Sequence, residues 1–99
     1  MFDFLTKIYY NIYRWWNKII TYRLNKQIIG RTAANLVFEL SKTKGVRIIK
    51  GDRCFNGKSL IGILANNLKE DDVIKISLDS SVDIPIVKEA FNFLGKEVA

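Results

Sequence analysis

The 99-residue chain has no histidine, one cysteine, one proline and one methionine. Without imidazole there is no Ser-His-Asp or Cys-His catalytic set and no histidine metal ligand. The single thiol, Cys54, cannot form a disulfide within the chain, which fits a reducing, cytosolic compartment. It lies between Arg53 and Phe55 with no base or metal partner in the pattern, so an inert, partly buried strand residue is expected. The remaining hard-cation ligands are carboxylates, and their one cluster is Glu70-Asp71-Asp72. That run reads as a solvated turn, because a cation site needs more oxygen ligands at defined spacing. Neither a metal nor a cofactor is expected. Asn56-Gly57-Lys58-Ser59 resembles the end of a phosphate-binding loop, but the upstream glycine that such a loop needs is missing, since position 52 is Asp. Nothing in the pattern points to an enzyme.

What is present is an ordinary globular composition, 48% hydrophobic and 26% charged, at a length that supports one domain. The net charge of +6 is unevenly placed. Residues 1–31 hold six basic groups (Lys7, Arg14, Lys18, Arg23, Lys26, Arg31) against Asp3, whereas residues 32–99 hold ten basic and nine acidic groups. The excess therefore belongs to the N-terminal third and draws that segment toward anionic surfaces.

Seven of the twelve aromatic residues fall within the first sixteen positions. Leu5, Ile8, Ile12 and Trp15 or Trp16 recur at helical spacing with Phe4 alongside, while Lys7, Asn11, Arg14 and Lys18 take the other side. Residues 1–17 are expected to form an amphipathic helix ahead of a domain spanning 18–99. The segment is too short and too interrupted by charge to cross a bilayer, which takes about 20 mostly apolar residues. It also lacks the basic start and small-residue cleavage site of a secretory signal. Three roles fit it. It packs on its own domain or pairs with a second copy. It lies on an anionic membrane, at the inner face for a cytoplasmic protein, with Tyr9, Tyr10, Tyr13, Trp15 and Trp16 at the interface. Or it docks a partner through the Phe4, Leu5, Ile8, Ile12 stripe. Nucleic acid is not an expected partner, because the basic excess is modest and no fold for reading bases is indicated.

Downstream, Lys18 to Leu24 alternates as a strand, with Ile20, Tyr22 and Leu24 on one side and Ile19, Thr21 and Arg23 on the other. A helix is expected over about Thr32 to Lys42, capped by Thr32 and burying Ala33, Leu36, Val37 and Leu40. Val46–Lys50 and Arg53–Phe55 form a hairpin about Gly51-Asp52. A second helix starts at the cap Ser59 and presents Leu60, Ile61, Ile63, Leu64 and Leu68 as its apolar face. Val73–Leu78 is a strand. A last helix, with Asp83 or Ser81 as cap and Pro85 in its first turn, buries Val87, Ala90, Phe91 and Leu94 and stops at Gly95. The order β-α-β-β-α-β-α implies an antiparallel sheet with its helices gathered on one face and the other face free.

Asn56-Gly57-Lys58-Ser59-Leu60-Ile61-Gly62-Ile63-Leu64 resembles the regulatory-serine helix of HPr, the small phosphocarrier of the bacterial sugar phosphotransferase system. Ala34-Asn35-Leu36-Val37 and Val73-Ile74-Lys75-Ile76 add to the likeness, which runs from about Ile19 to Leu94. The resemblance implies an α+β fold, an HPr-like open-faced β-sandwich with a four-stranded antiparallel sheet and three helices on one face, here preceded by an N-terminal helix. HPr carries phosphate on a histidine at the start of its first helix, followed by Ala-Arg-Pro-Ala. By register that histidine falls on Gly30, with Thr32 in place of the arginine and Ala33 in place of the proline. A glycine has no nucleophile, so phosphoryl transfer through this position is excluded. The helix terminus still offers an anion site at Arg31 and Thr32. Ser59 matches the serine that a dedicated kinase phosphorylates in some HPr proteins, and Leu60, Ile61 and Leu64 match the contact patch beside it. The same serine is equally what any helix start requires. The resemblance thus implies a non-catalytic regulatory or adaptor protein whose partner is a regulator or kinase of HPr type. The alternative is a membrane-surface or self-associating protein acting through residues 1–17.

Overall fold

The computed structural model describes residues 18–98; residues 1–17, including the amphipathic helix expected there, and Ala99 lie outside the described residues. The chain runs β1 (Lys18–Leu24), α1 (Gly30–Leu40), β2 (Val46–Lys50), β3 (Arg53–Asn56), α2 (Leu60–Ala65), β4 (Val73–Leu78), a single 3-10 turn (Ser81–Asp83), α3 (Ile84–Phe91) and β5 (Gly95–Val98). The five strands form one antiparallel sheet in the order β3-β2-β4-β1-β5.

The expected α+β architecture is present with one strand more than the sequence pattern gave. Gly95 does not stop a helix; α3 ends at Phe91 and Gly95 opens β5. The reason lies in the neighbouring strand. A Cβ at Gly95 would stand 2.3 Å from the Arg23 carbonyl oxygen, so only glycine lets β5 approach β1 there. A strand of four residues with two charges, Lys96 and Glu97, carries too little alternation to be seen in the sequence.

One face of the sheet supplies the core. Ile20 and Tyr22 of β1 stand opposite Ile76 and Ile74 of β4, and Val46 and Ile48 of β2 opposite Leu78 and Ile76. All are buried, together with Ala33, Leu36 and Leu40 of α1, Ile63 of α2, and Val87 and Phe91 of α3. The three helices therefore share one side of the sheet. Tyr22 and Phe91 pack with ring centroids 5.4 Å apart. Burial raises the Tyr22 hydroxyl pKa, and the charge of Glu97 adds to the rise.

Several local expectations shift. Helix α1 begins at Gly30, two residues early, and Thr32 lies inside its first turn rather than capping it. Gly30 has φ +55, a left-handed value that lets the chain turn sharply out of extended Ile29. Asp83 stands at the N-cap position of α3 as expected, but its side chain caps no N–H of that helix; the buried carboxylate accepts instead from the Lys44 N–H at 2.7 Å, and Ser80 accepts from the Val82 N–H in the preceding turn. Cys54 is exposed, not partly buried, because its register opposite Ile49 turns it away from the helices. Of the apolar residues assigned to the second helix, only Ile63 and Leu68 are buried. The hairpin holds: Lys50 pairs with Arg53 across Gly51-Asp52, and Gly51 has φ +61.

Candidate functional site

The site is built where α1 and α2 lie side by side. The Ile28 N–H donates to the Leu68 carbonyl at 3.0 Å, tying the approach to α1 to the exit of α2. At the other end, a Cβ on Gly57 would stand 3.3 Å from Leu40, so the entrance of α2 sits against the exit of α1. The two helices therefore run antiparallel, with Ser59 at one end of the pair and Gly30, Arg31 and Thr32 at the other.

The turn into α2 is specified by its sequence. The Gly57 N–H donates to the Val46 carbonyl at 2.9 Å, and glycine is needed where Val46 and Leu40 crowd it. The Asn56 side chain accepts from the Lys58 N–H at 2.9 Å. The Lys58 ammonium donates to the Thr43 carbonyl. Ser59 caps the helix, its Oγ accepting from the Gly62 N–H at 3.0 Å. Ser59 is half-buried, and directly after it Leu60, Ile61 and Leu64 are 39%, 80% and 44% exposed. Three large aliphatic side chains on two turns of one helix, all turned away from the core, form an apolar strip that a monomeric domain has no internal use for.

At the opposite end Gly30 and Arg31 are exposed and no side chain caps α1. A Cβ on Gly30 would meet nothing within 4 Å, so space for a larger residue exists there while the backbone angle opposes one. Thr32 turns the other way. It lines a groove of about 350 Å3 between α1 and α3 together with Lys26, Asn35, Glu39, Glu89 and Phe93. Two carboxylates in that groove oppose an anion beside Thr32, and of the two polar residues expected to attract one, Arg31 alone stands clear of them. Phe38, 65% exposed on α1, adds an apolar group that the sequence pattern did not single out. Its position off the Ala33, Leu36, Leu40 stripe was the available signal.

The acidic cluster is a structural turn. Asp71 has φ +71, its N–H donates to the Leu24 carbonyl, and the Asp72 carboxylate accepts from the Lys69 N–H and pairs with Lys50. No group of three or more potential metal ligands occurs among the described residues. None of the described helices is long and apolar enough to cross a membrane. Phe4, Leu5, Ile8, Ile12, Trp15 and Trp16 lie outside the described residues.

No protein-family model and no curated protein matches the chain. Solved structures do. HPr-C-His from Thermoanaerobacter tengcongensis superposes with a TM-score of 0.65 at 22% identity, covering 79% of this chain and 89% of that one. The histidine-containing phosphocarrier protein of Mycoplasma gives 0.64 at 23% identity, covering 76% and 90%. The phosphocarrier protein HPr of Bacillus anthracis gives 0.66 at 22% identity, covering 79% and 94%. At this identity the likeness concerns the backbone, and it agrees with the local likeness around Ser59: the chain has the HPr fold.

Proposed function

We propose that this chain is a non-catalytic regulatory or adaptor module that binds a protein partner through the face formed by α1 and α2. The observation that carries the reading is the exposure of Leu60, Ile61 and Leu64 immediately after the cap Ser59. Arg31 and Thr32 stand at the far end of the same helix pair. The neighbours in fold are phosphocarriers, and carriers of that kind work by docking on other proteins. Here Gly30 takes the position that the resemblance assigns to the phosphate-bearing histidine, so recognition is what the fold has left to offer.

Ser59 is the control point in this reading. A phosphate on its Oγ would add about two negative charges at the head of the apolar strip, next to Lys58, where the helix dipole and the free N–H groups of the first turn of α2 favour them. The partner would be a regulator or kinase of HPr type. The test is incubation with the HPr-specific kinase and ATP, followed by mass spectrometry at Ser59 and affinity capture with the phosphorylated and unphosphorylated protein. An unmodified Ser59 under conditions that modify ordinary HPr removes the switch. Capture unaffected by Ile61→Asp removes the face. Incubation with phosphoenolpyruvate and the upstream phosphotransfer enzyme is expected to leave no phosphoryl label on the chain.

The aromatic and basic pattern of residues 1–17 supports a second reading, in which that segment attaches the protein to an anionic membrane or to a second copy. Substituting Ile8 and Ile12 by Asp in the full chain would abolish either attachment and leave the helical face untouched.

A further inference from the structure

The open face of the sheet is cationic, and this follows from register alone. Ile19, Ser77, Arg47 and Asn56 form one row across β1, β4, β2 and β3. Thr21, Lys75, Ile49 and Cys54 form the next, with Val98 of β5 beyond Thr21. Val73 and Arg23 begin a third, completed by Lys96. Arg23, Arg47, Lys75 and Lys96 are all exposed. Among the described residues none of the four takes part in an ion pair.

No acid lies within these rows. Asp79 stands at one margin near Arg47, and Glu70 and Asp71 at the other near Arg23 and Lys96. On the helical side, Glu39 and Glu89 line the groove together with Lys26, and Glu39 pairs with Lys42. The open face also contains no aromatic side chain in its rows, because Tyr22 and Phe55 have the opposite parity and turn toward the helices. That removes the stacking platform on which single-stranded nucleic acids are bound. Aliphatic groups stand between the cations instead: Ile19 and Val73 are 44% and 45% exposed. A broad face of unpaired cations and aliphatic groups, with no acid in its rows, complements a negatively charged lipid surface.

We propose that the open sheet face docks on an anionic phospholipid bilayer, leaving the α1–α2 face directed away from the membrane. The inference rests on the sheet itself. It needs neither the protein partner nor the attachment of residues 1–17 proposed above.

The test is co-sedimentation of the full chain with phosphatidylcholine vesicles, with and without phosphatidylserine, at low and raised salt. Binding is expected only with phosphatidylserine and is expected to weaken with salt. Arg47→Gln combined with Lys75→Gln is expected to lower partitioning about fivefold for each charge removed. Lys42→Gln combined with Lys88→Gln removes the same charge from the helical side and is expected to change partitioning less than about twofold. All four residues are exposed, so thermal melts should confirm an unchanged fold.

Equal loss from both pairs would show attraction by net charge alone and overturn the proposal. So would loss with Ile8→Asp and Ile12→Asp but not with the sheet pair, an outcome that upholds attachment through residues 1–17. Absence of vesicle binding at low salt, or retention on single-stranded oligonucleotides that the sheet pair abolishes while vesicles are ignored, would overturn it as well.

Discussion

The Lys50 ammonium stands 2.9 Å from the Asp72 carboxylate and also donates to the carbonyls of Asn66 and Asn67. One side chain at the end of β2 thereby fastens both ends of the connection between α2 and β4. Burial pushes the Asp72 carboxyl up, but the Lys69 N–H, the Lys50 ammonium and the charges of both lysines outweigh it and hold the pKa below the ordinary 3.8. A carboxyl whose pKa is lower folded than unfolded stabilises the fold above its unfolded value and loses that contribution as pH falls through the folded one. Urea melts should therefore show stability falling from about pH 4 downward. Asp72→Asn should be about 1 kcal/mol less stable at neutral pH and should lack this part of the pH dependence.

Asp83 is buried and accepts from the Lys44 N–H across 39 positions of sequence. Asp83→Ala leaves that N–H without its partner and should cost about 2 kcal/mol in denaturant midpoint analysis. Lys44→Ala, which keeps the backbone donor, should cost less than about 0.5 kcal/mol.

Gly95→Ala places a methyl group 2.3 Å from the Arg23 carbonyl. Backbone cannot yield as a flexible side chain does, so β5 should separate from β1. The expected result is about 2 kcal/mol of lost stability, with faster amide exchange confined to residues 21–24 and 95–98. Gly30→Ala meets no atom but adopts φ +55, and should cost about 1 kcal/mol.

Ile61 is 80% exposed. Ile61→Asp should leave the melting temperature within the range of ordinary surface substitutions, about 0.5 kcal/mol, while removing capture of the partner. Ser59→Ala, by contrast, should lower stability by about 1 kcal/mol through the lost cap, and Ser59→Asp should restore most of it.

The sequence made most of the architecture legible because its signals were local. Alternation identified β1 and β4 at their observed bounds, and the Ala33, Leu36, Leu40 stripe identified α1. The errors arose where tertiary contacts decided the outcome. Gly95 looked like a helix stop because its true constraint, the Arg23 carbonyl, lies far away in sequence. Asp83 has the N-cap position but not the capping bond, because the Lys44 N–H that claims its carboxylate lies 39 positions away. Leu60, Ile61 and Leu64 fit a buried stripe as well as an exposed one, since a short helix offers too few turns to settle which face is inward. The cations of the open face are spread over four strands and became a group only through pairing register.

The two margins of the sheet, β3 and β5, are each four residues long. A flank that short offers an incoming strand few vacant amides and carbonyls, and each flank bears charge, Arg53 on one and Lys96 with Glu97 on the other. Sheet-to-sheet growth between copies is thereby starved at both borders, so crowding of this protein on a surface would bring molecules side by side without zipping them into fibres.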